Sequence, residues 1–490
     1  MRCKSKMLFI GLVLCLFSLA CVDRAAAQEP GPTGDAGAPT QITDSFPDPP
    51  VKWAAALPSL GYPTHAGNVV PAIVIRGNVI YVPGDNTLTA LGGPTGKKLW
   101  TYNPGSGLSL TQLEVADNTV ILAFAFTGDL VPAGGVPQAY IAGVDALTGQ
   151  ERWTYTTHES SITAWSDSDD TVYLAGSSGS LYGLKVATGE LEWSMRSPNG
   201  DYIADIAAQD GILYLLGTHL DQSQNEIYSV YAVDARSKQG RWSLAVPGVD
   251  DIGAGFPSIR PAGTSIYVTG VHSLYALEEA TGRIKWNYTP GPYKTGEHQP
   301  YPAIRTSPAF TGDTVYLGVA LAGDTQTECY DSLASSVLGL DAATGLEKWQ
   351  VRTEKSIDIG ESLAVQGGTV YYTSSAVCGV GYTLYSDLYA MDVNSRSIIW
   401  RKYSGPGSYF VQPLVVADGT LLAGSVRRSN NVDYDLLYAI PTTMAGVGMP
   451  RAGTANLSSQ LVALIAFFGV IAGATLLHVG KLYPQKRMPD

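Results

Sequence analysis

The sequence predicts an all-β, eight-bladed β-propeller of four-stranded blades, followed by one C-terminal transmembrane helix. Three observations lead there. A hairpin pattern ending in Trp recurs through the middle of the chain, at Trp100, Trp153, Trp193, Trp242, Trp286, Trp349 and Trp400. Each hairpin follows another pair of strand-like segments, and such four-strand units belong to propeller blades rather than solenoids. Near the C-terminus an apolar stretch, Leu461 to Leu477, has with its flanks the length that crosses a hydrocarbon core.

The bulk composition fits. Of 490 residues, 45% are hydrophobic and 15% charged, with 54 Gly, 29 Pro and 28 Tyr, which suits short strands joined by turns. The net charge of -12 argues against nucleic acid and against electrostatic docking on anionic lipid. Cys3, Cys15 and Cys21 lie in the N-terminal segment, leaving Cys329 and Cys378. That excludes a disulfide-rich scaffold and a multi-Cys metal cluster.

The repeat can be read position by position. Ten residues before each Trp stands a small residue: Ala90, Gly143, Gly183, Ala232, Ala276, Gly339 and Ala390. Five before stands a hydroxyl: Thr95, Thr148, Thr188, Ser237, Thr281, Thr344 and Ser395. Four before stands Gly96, Gly149, Gly189, Gly282 or Gly345, with Lys238 and Arg396 as departures. Asp145, Asp234, Glu278, Asp341 and Asp392 precede the turns and are expected to bond turn backbone. The Gly supplies positive φ, the small residue allows a neighbour to approach, and Trp brings an apolar face that one sheet alone cannot cover. After Trp400 a last unit has three strands and no closing Trp, whereas Val51-Lys52-Trp53 is a strand without a blade. Trp53 is therefore expected to complete the eighth blade and remove the open edge of the ring. Trp165 falls in the inner-strand region of the third repeat and is expected in the core.

Residues 1–27 read as a secretory signal: basic Arg2, Lys4 and Lys6, an apolar run, and Ala25-Ala26-Ala27 before the cut. Lipidation of Cys21 is the alternative, although Ser18 stands where the lipoprotein pattern expects Leu. The expected order is then a disordered linker 28–50, the propeller 51–441, a flexible stalk 442–458, a transmembrane helix 459–480 and a basic tail 481–490. Lys481, Lys486 and Arg487 keep the tail cytoplasmic and the propeller extracytoplasmic on a single-pass chain.

The run Leu338-Gly339-Leu340-Asp341-Ala342-Ala343-Thr344-Gly345-Leu346-Glu347-Lys348-Trp349 resembles the repeat of the pyrroloquinoline-quinone-like (PQQ-like) propeller superfamily, as do Tyr182 to Trp193 and Tyr275 to Trp286. The resemblance covers about residues 51 to 440 and implies the propeller fold. That superfamily holds quinoprotein dehydrogenases and non-catalytic propellers, such as the lipoprotein subunit of the bacterial outer-membrane assembly machinery. Fold alone does not choose between them. The adjacent cysteine pair of the alcohol dehydrogenases is missing, and no segments match their Ca²⁺ ligands. The chain thus resembles the non-catalytic members more, with no cofactor expected and PQQ with Ca²⁺ as the alternative.

Other chemistry is thin. No Gly-x-Ser-x-Gly, His-Glu-x-x-His or phosphate loop occurs. His65, His158 and His298 each follow a blade-ending Trp and could share one face as metal ligands, against the plainer reading of exposed loop residues. Cys329 and Cys378 lie in matching insertions of adjacent blades, so in an oxidising compartment they are expected to form a disulfide, the other reading being two free thiols. Asn287 and Asn456 open glycosylation sequons. The segments Leu321–Ser336, Ser374–Ser386 and Tyr288–Tyr301 make an uneven rim suited to a protein or peptide. The expected function is a membrane-anchored scaffold or recognition module. The alternatives are a PQQ/Ca²⁺ oxidoreductase and an envelope solute sensor.

Overall fold

The computed structural model describes residues 46–442 except 58–71, 85, 127–137, 222–225, 247–257, 271, 292–301, 322–334, 354–357, 378–382, 405–407 and 428–433. Its strands form eight separate antiparallel sheets, one per repeat. Blade 1 runs Val74–Arg76, Val79–Pro83, Leu88–Gly92 and Lys98–Tyr102, and blade 4 runs Tyr202–Gln209, Ile212–Leu220, Glu226–Asp234 and Gly240–Val246. The first strands of neighbouring blades touch one another, so they form the inner ring and the fourth strands the outer rim. Blade 6 departs from the expected single inner segment: Pro302–Ile304 and Ala309–Thr311 both pair with Thr314–Leu321, on either side of the break at 305–308.

Closure follows the expected route. Trp53–Leu57 pairs with Tyr434–Pro441 and becomes the outer strand of blade 8, with Trp53 opposite Ala439. The same cross-strand pairing recurs around the ring: Ala90 faces Trp100, Gly143 faces Trp153 and Ala390 faces Trp400. The small residue therefore makes room for its own blade's indole. A Cβ on Gly339 would meet Trp349 Cε2 at 2.6 Å.

Neighbouring blades meet at the turn glycine instead. Gly149 of blade 2 has φ +72°, and a Cβ there would lie 2.7 Å from Cδ2 and Cε3 of Trp100 in blade 1. The Trp53 ring sits against Gly96 of blade 1 in the same way, and its Nε1 donates to Gly93 O at 2.8 Å. This contact links the N-terminal strand, held in blade 8, to blade 1. Where the turn residue is Lys238 or Arg396, the backbone still holds φ of 60° and 58°.

A tyrosine row, missed in the sequence pattern, completes the core of six blades. Tyr81, Tyr173, Tyr214, Tyr267, Tyr316 and Tyr371 oppose the small residue from its other side. Each packs on its blade's Trp with ring centroids 5.7 to 6.1 Å apart. Ile121 and Leu422 take this place in blades 2 and 8. Tyr81 Oη and Trp100 Nε1 both donate to Ala146 O of blade 2, at 3.2 and 3.3 Å. One carbonyl thus satisfies two polar tips that burial would otherwise strand. The apolar clusters accordingly span blade pairs, as where Leu216 and Val230 of blade 4 meet Ile259 and Ile266 of blade 5. Trp165 packs against two such clusters, as expected for a core residue.

The predicted signal segment, transmembrane helix and basic tail, and the stalk beyond Thr442, lie outside the described residues. Among the described residues no helix is long and apolar enough to cross a membrane.

Candidate functional site: two unequal faces

The topology divides the propeller into two faces. The lower face carries the turns between first and second strands and between third and fourth. The upper face carries the connections between second and third strands and those from one blade to the next.

The lower face is regular. First-to-second turns are two residues long, with Asp117, Asp169, Asp210 and Asp418 at φ between 47° and 53°. Asp tolerates this left-handed backbone better than most residues. In the third-to-fourth turns, Asp145 Oδ1 accepts from Thr148 N–H at 2.8 Å and Thr148 Oγ1 at 2.9 Å, and Asp234, Asp341 and Asp392 repeat the pattern. The backbone bond from Thr148, with that hydroxyl and Arg152, holds the Asp145 carboxyl down to about 2. The repeated acid is therefore turn structure, as the sequence suggests.

The inner strands are stitched by side chains. Thr163 Oγ1 donates to Ile203 O at 2.8 Å, Ala208 N–H to Ser166 Oγ at 2.9 Å, and Ile259 N–H to Asp205 Oδ2 at 2.9 Å. Arg260 adds an ion pair to Asp205 at 2.7 Å. Arg76 donates to Val115 O at 2.7 and 3.1 Å. Burial pushes the Glu114 and Asp167 carboxyls up, against the pull of the Arg76 charge. These bonds occupy the exposed edge of the inner strands.

The upper face is irregular. Its second-to-third connections are short in blades 1, 3 and 5, from Pro83 to Leu88, Gly176 to Ser180 and Thr269 to Leu274. They are longer from Phe126 to Ala139, Leu321 to Ser336 and Arg427 to Tyr434.

Four buried carboxylates lie on the upper side, Glu159, Asp201, Asp387 and Asp435, and the partners of the first three define their settings. In blade 3, Glu159 sits over Gly176. Its Oε2 accepts from Ser178 N–H at 2.6 Å, and its Oε1 from Ser178 Oγ at 2.7 Å and Tyr182 Oη at 3.2 Å. Burial alone would raise this carboxyl, but the bonds from Ser178, Ser180 and Tyr182 bring it below its usual value. In blade 4, Asp201 sits over Gly217, and its Oδ2 accepts from Tyr231 Oη at 2.7 Å. Tyr231 Oη in turn accepts from Asn199 Nδ2 at 2.9 Å. In blade 7, Asp387 pairs with Arg401 at 2.6 Å. There burial pushes the carboxyl up while Arg401 pulls it down.

Sequence reading missed these acids. The one signal was the Tyr standing just before the repeat's small residue, at Tyr182, Tyr231 and Tyr389. Of the sites it did name, His158 is exposed on the upper side, and Asn287 is exposed on the outer strand of blade 5. Cys21, His65, His298, Cys329, Cys378 and Asn456 lie outside the described residues. Among the described residues no group of three or more His, Cys, Asp or Glu is gathered as a metal cluster.

Known proteins share this architecture. The quinohemoprotein alcohol dehydrogenase from Comamonas testosteroni superposes with a TM-score of 0.57 at 13% identity, over 84% of this chain and 79% of that one. At such identity the likeness is one of fold. The tetrathionate hydrolase of Acidithiobacillus ferrooxidans is 21% identical over 365 residues, 66% of this chain and 68% of the hydrolase. The serine/threonine-protein kinase AfsK of Streptomyces griseus is 26% identical over 211 residues, which are 42% of this chain and only 23% of the kinase. The family model described as outer membrane protein assembly factor BamB matches residues 51–217 and 227–375, and the chain belongs to that family.

Proposed function

We propose that the protein is a recognition or scaffold propeller that binds a protein or peptide through its upper face. The observation that carries this reading is the inequality of the two faces. The lower turns repeat from blade to blade, whereas the upper connections differ in length around the ring. A rigid frame with variable loops on one side places recognition in those loops. Membership in an assembly-factor family supports the same reading. The tether belongs to the proposal too: a cleaved leader at 1–27, a span at 459–480, the propeller on the extracytoplasmic side, and a Cys329–Cys378 bridge joining the upper loops of blades 6 and 7.

The test uses the full chain in its own membrane. Replacing the connection between Phe126 and Ala139, or that between Leu321 and Ser336, with a short turn should leave the melting transition intact. The same change should abolish recovery of one specific partner after cross-linking. Undiminished recovery in both variants would remove the upper face from the function.

A further inference from the structure

Blades 3 and 4 contain the same device with one substitution. Glu159 and Asp201 each enter just before the inner strand and lie over a strand-end glycine, with Ile162 opposite Gly176 and Ile203 opposite Gly217. Each carboxylate takes a bond from the tyrosine preceding the small residue, Tyr182 or Tyr231. Two residues beyond the glycine, blade 3 has Ser178 and blade 4 has His219. In blade 3, Ser178 gives the carboxylate two donors and no oxygen is left over. In blade 4, His219 Nδ1 stands 3.2 Å from Asp201 Oδ1, yet both atoms are buried without a hydrogen-bond partner.

Those two atoms are close but do not face each other as donor and acceptor. Their separation fits two ligands of one ion: with metal–ligand bonds of roughly 2.0–2.1 Å, atoms about a tetrahedral centre lie roughly 3.3 Å apart. The surroundings suit a ligand carboxylate. The Asp201 side chain is fully buried, Tyr231 and Asn199 hold its other oxygen in a hydrogen-bonded chain, and Ser197 Oγ binds its carbonyl at 2.5 Å. Such outer bonds orient metal ligands. The His219 side chain is 38% exposed although its Nδ1 is buried, so the ring stands between the pair and solvent. Imidazole with carboxylate selects a borderline divalent first-row ion over calcium or magnesium.

We infer that Asp201 and His219 form a two-residue site for a divalent transition-metal ion, with zinc as its natural probe, on the upper face of blade 4. Two protein ligands give modest affinity, and the ring of His219 must turn to let water complete the shell. The site stands apart from the partner-binding reading.

The experiment titrates the full chain, purified without a histidine tag, with Zn²⁺ against a chromophoric chelator, and follows the melting temperature in parallel. One zinc should bind per chain and raise the transition. His219→Ser copies the blade 3 arrangement, so it should fold as well as the parent in chelator and bind zinc at least tenfold more weakly. Tyr231→Phe, which removes the orienting bond to Asp201 and the Asn199 bond behind it but neither metal ligand, should weaken zinc about tenfold. His158→Ala should leave zinc binding unchanged. The inference is overturned if the parent takes up no zinc at tenfold excess, or if His219→Ser binds it as the parent does.

Discussion

Substituting Gly149 with Ala separates two roles of the turn glycine. At φ +72° the new methyl incurs the left-handed backbone cost, about 1–2 kcal/mol. It must also displace the Trp100 ring, whose Cδ2 and Cε3 would lie 2.7 Å away. Overpacking of this kind costs about 1–3 kcal/mol. Gly211 is the internal control, because it has φ +75° and nothing within 4 Å of an added Cβ. Gly211→Ala should therefore lose only the backbone part, and Gly149→Ala should be worse by about 1–3 kcal/mol. Denaturant unfolding of each variant, repeated in a Trp100→Leu background, measures the difference. The extra cost of Gly149→Ala should largely vanish in that background, since contacting residues couple. If Gly149→Ala is no worse than Gly211→Ala, the indole does not bear on the turn, and the turn glycine is not where neighbouring blades meet.

Other outcomes follow from the same structure. Trp53→Ala should destabilise the whole propeller by about 3 kcal/mol, read as a lower denaturant midpoint, because this indole joins blade 8 to blade 1. Arg401→Ala leaves the buried Asp387 without its cation and should cost about 3–5 kcal/mol, recovered in part by a second change, Asp387→Asn. Acid should weaken the turns. The Asp145, Asp234, Asp341 and Asp392 carboxyls are held below the ordinary value near 3.9, so the unfolded chain takes up protons first. Their stabilisation is whole above about pH 5 and fades as pH falls through about 4 toward 2. Asp145→Asn should flatten that part of the melting curve against pH. Titration with pyrroloquinoline quinone and Ca²⁺ should give neither stoichiometric binding nor dye-linked alcohol oxidation. Turnover would make the protein an oxidoreductase.

The frame was legible because it repeats. A Trp with a small residue ten places before it and a glycine four places before it is a local pattern, and its incomplete last copy announced the role of Trp53. The division of labour was harder to read. Sequence spacing could not tell whether the small residue admits the indole of its own blade or of the next, since that depends on cross-strand register. The tyrosine row escaped because the distance from the second strand to Trp varies with the upper connection, so no fixed spacing marks it. The upper carboxylates escaped for a different reason. Glu159 and Asp201 lie in connections of equal length, 157–161 and 197–201, but at different places in them, three residues before Ile162 in one case and two before Ile203 in the other. Only the fold brings them to the same place, each over a glycine of the next strand.

The most direct test of partner recognition maps which face meets the partner. A photo-reactive amino acid would be placed singly in the full chain in its host cell. Upper positions are Ser160, Tyr202 and Leu220, and lower positions are Leu147 and Leu346, all exposed. Recognition through the upper loops predicts one adduct of constant mass from upper positions only. Adducts confined to Leu147 and Leu346, or equal from both faces, would contradict it.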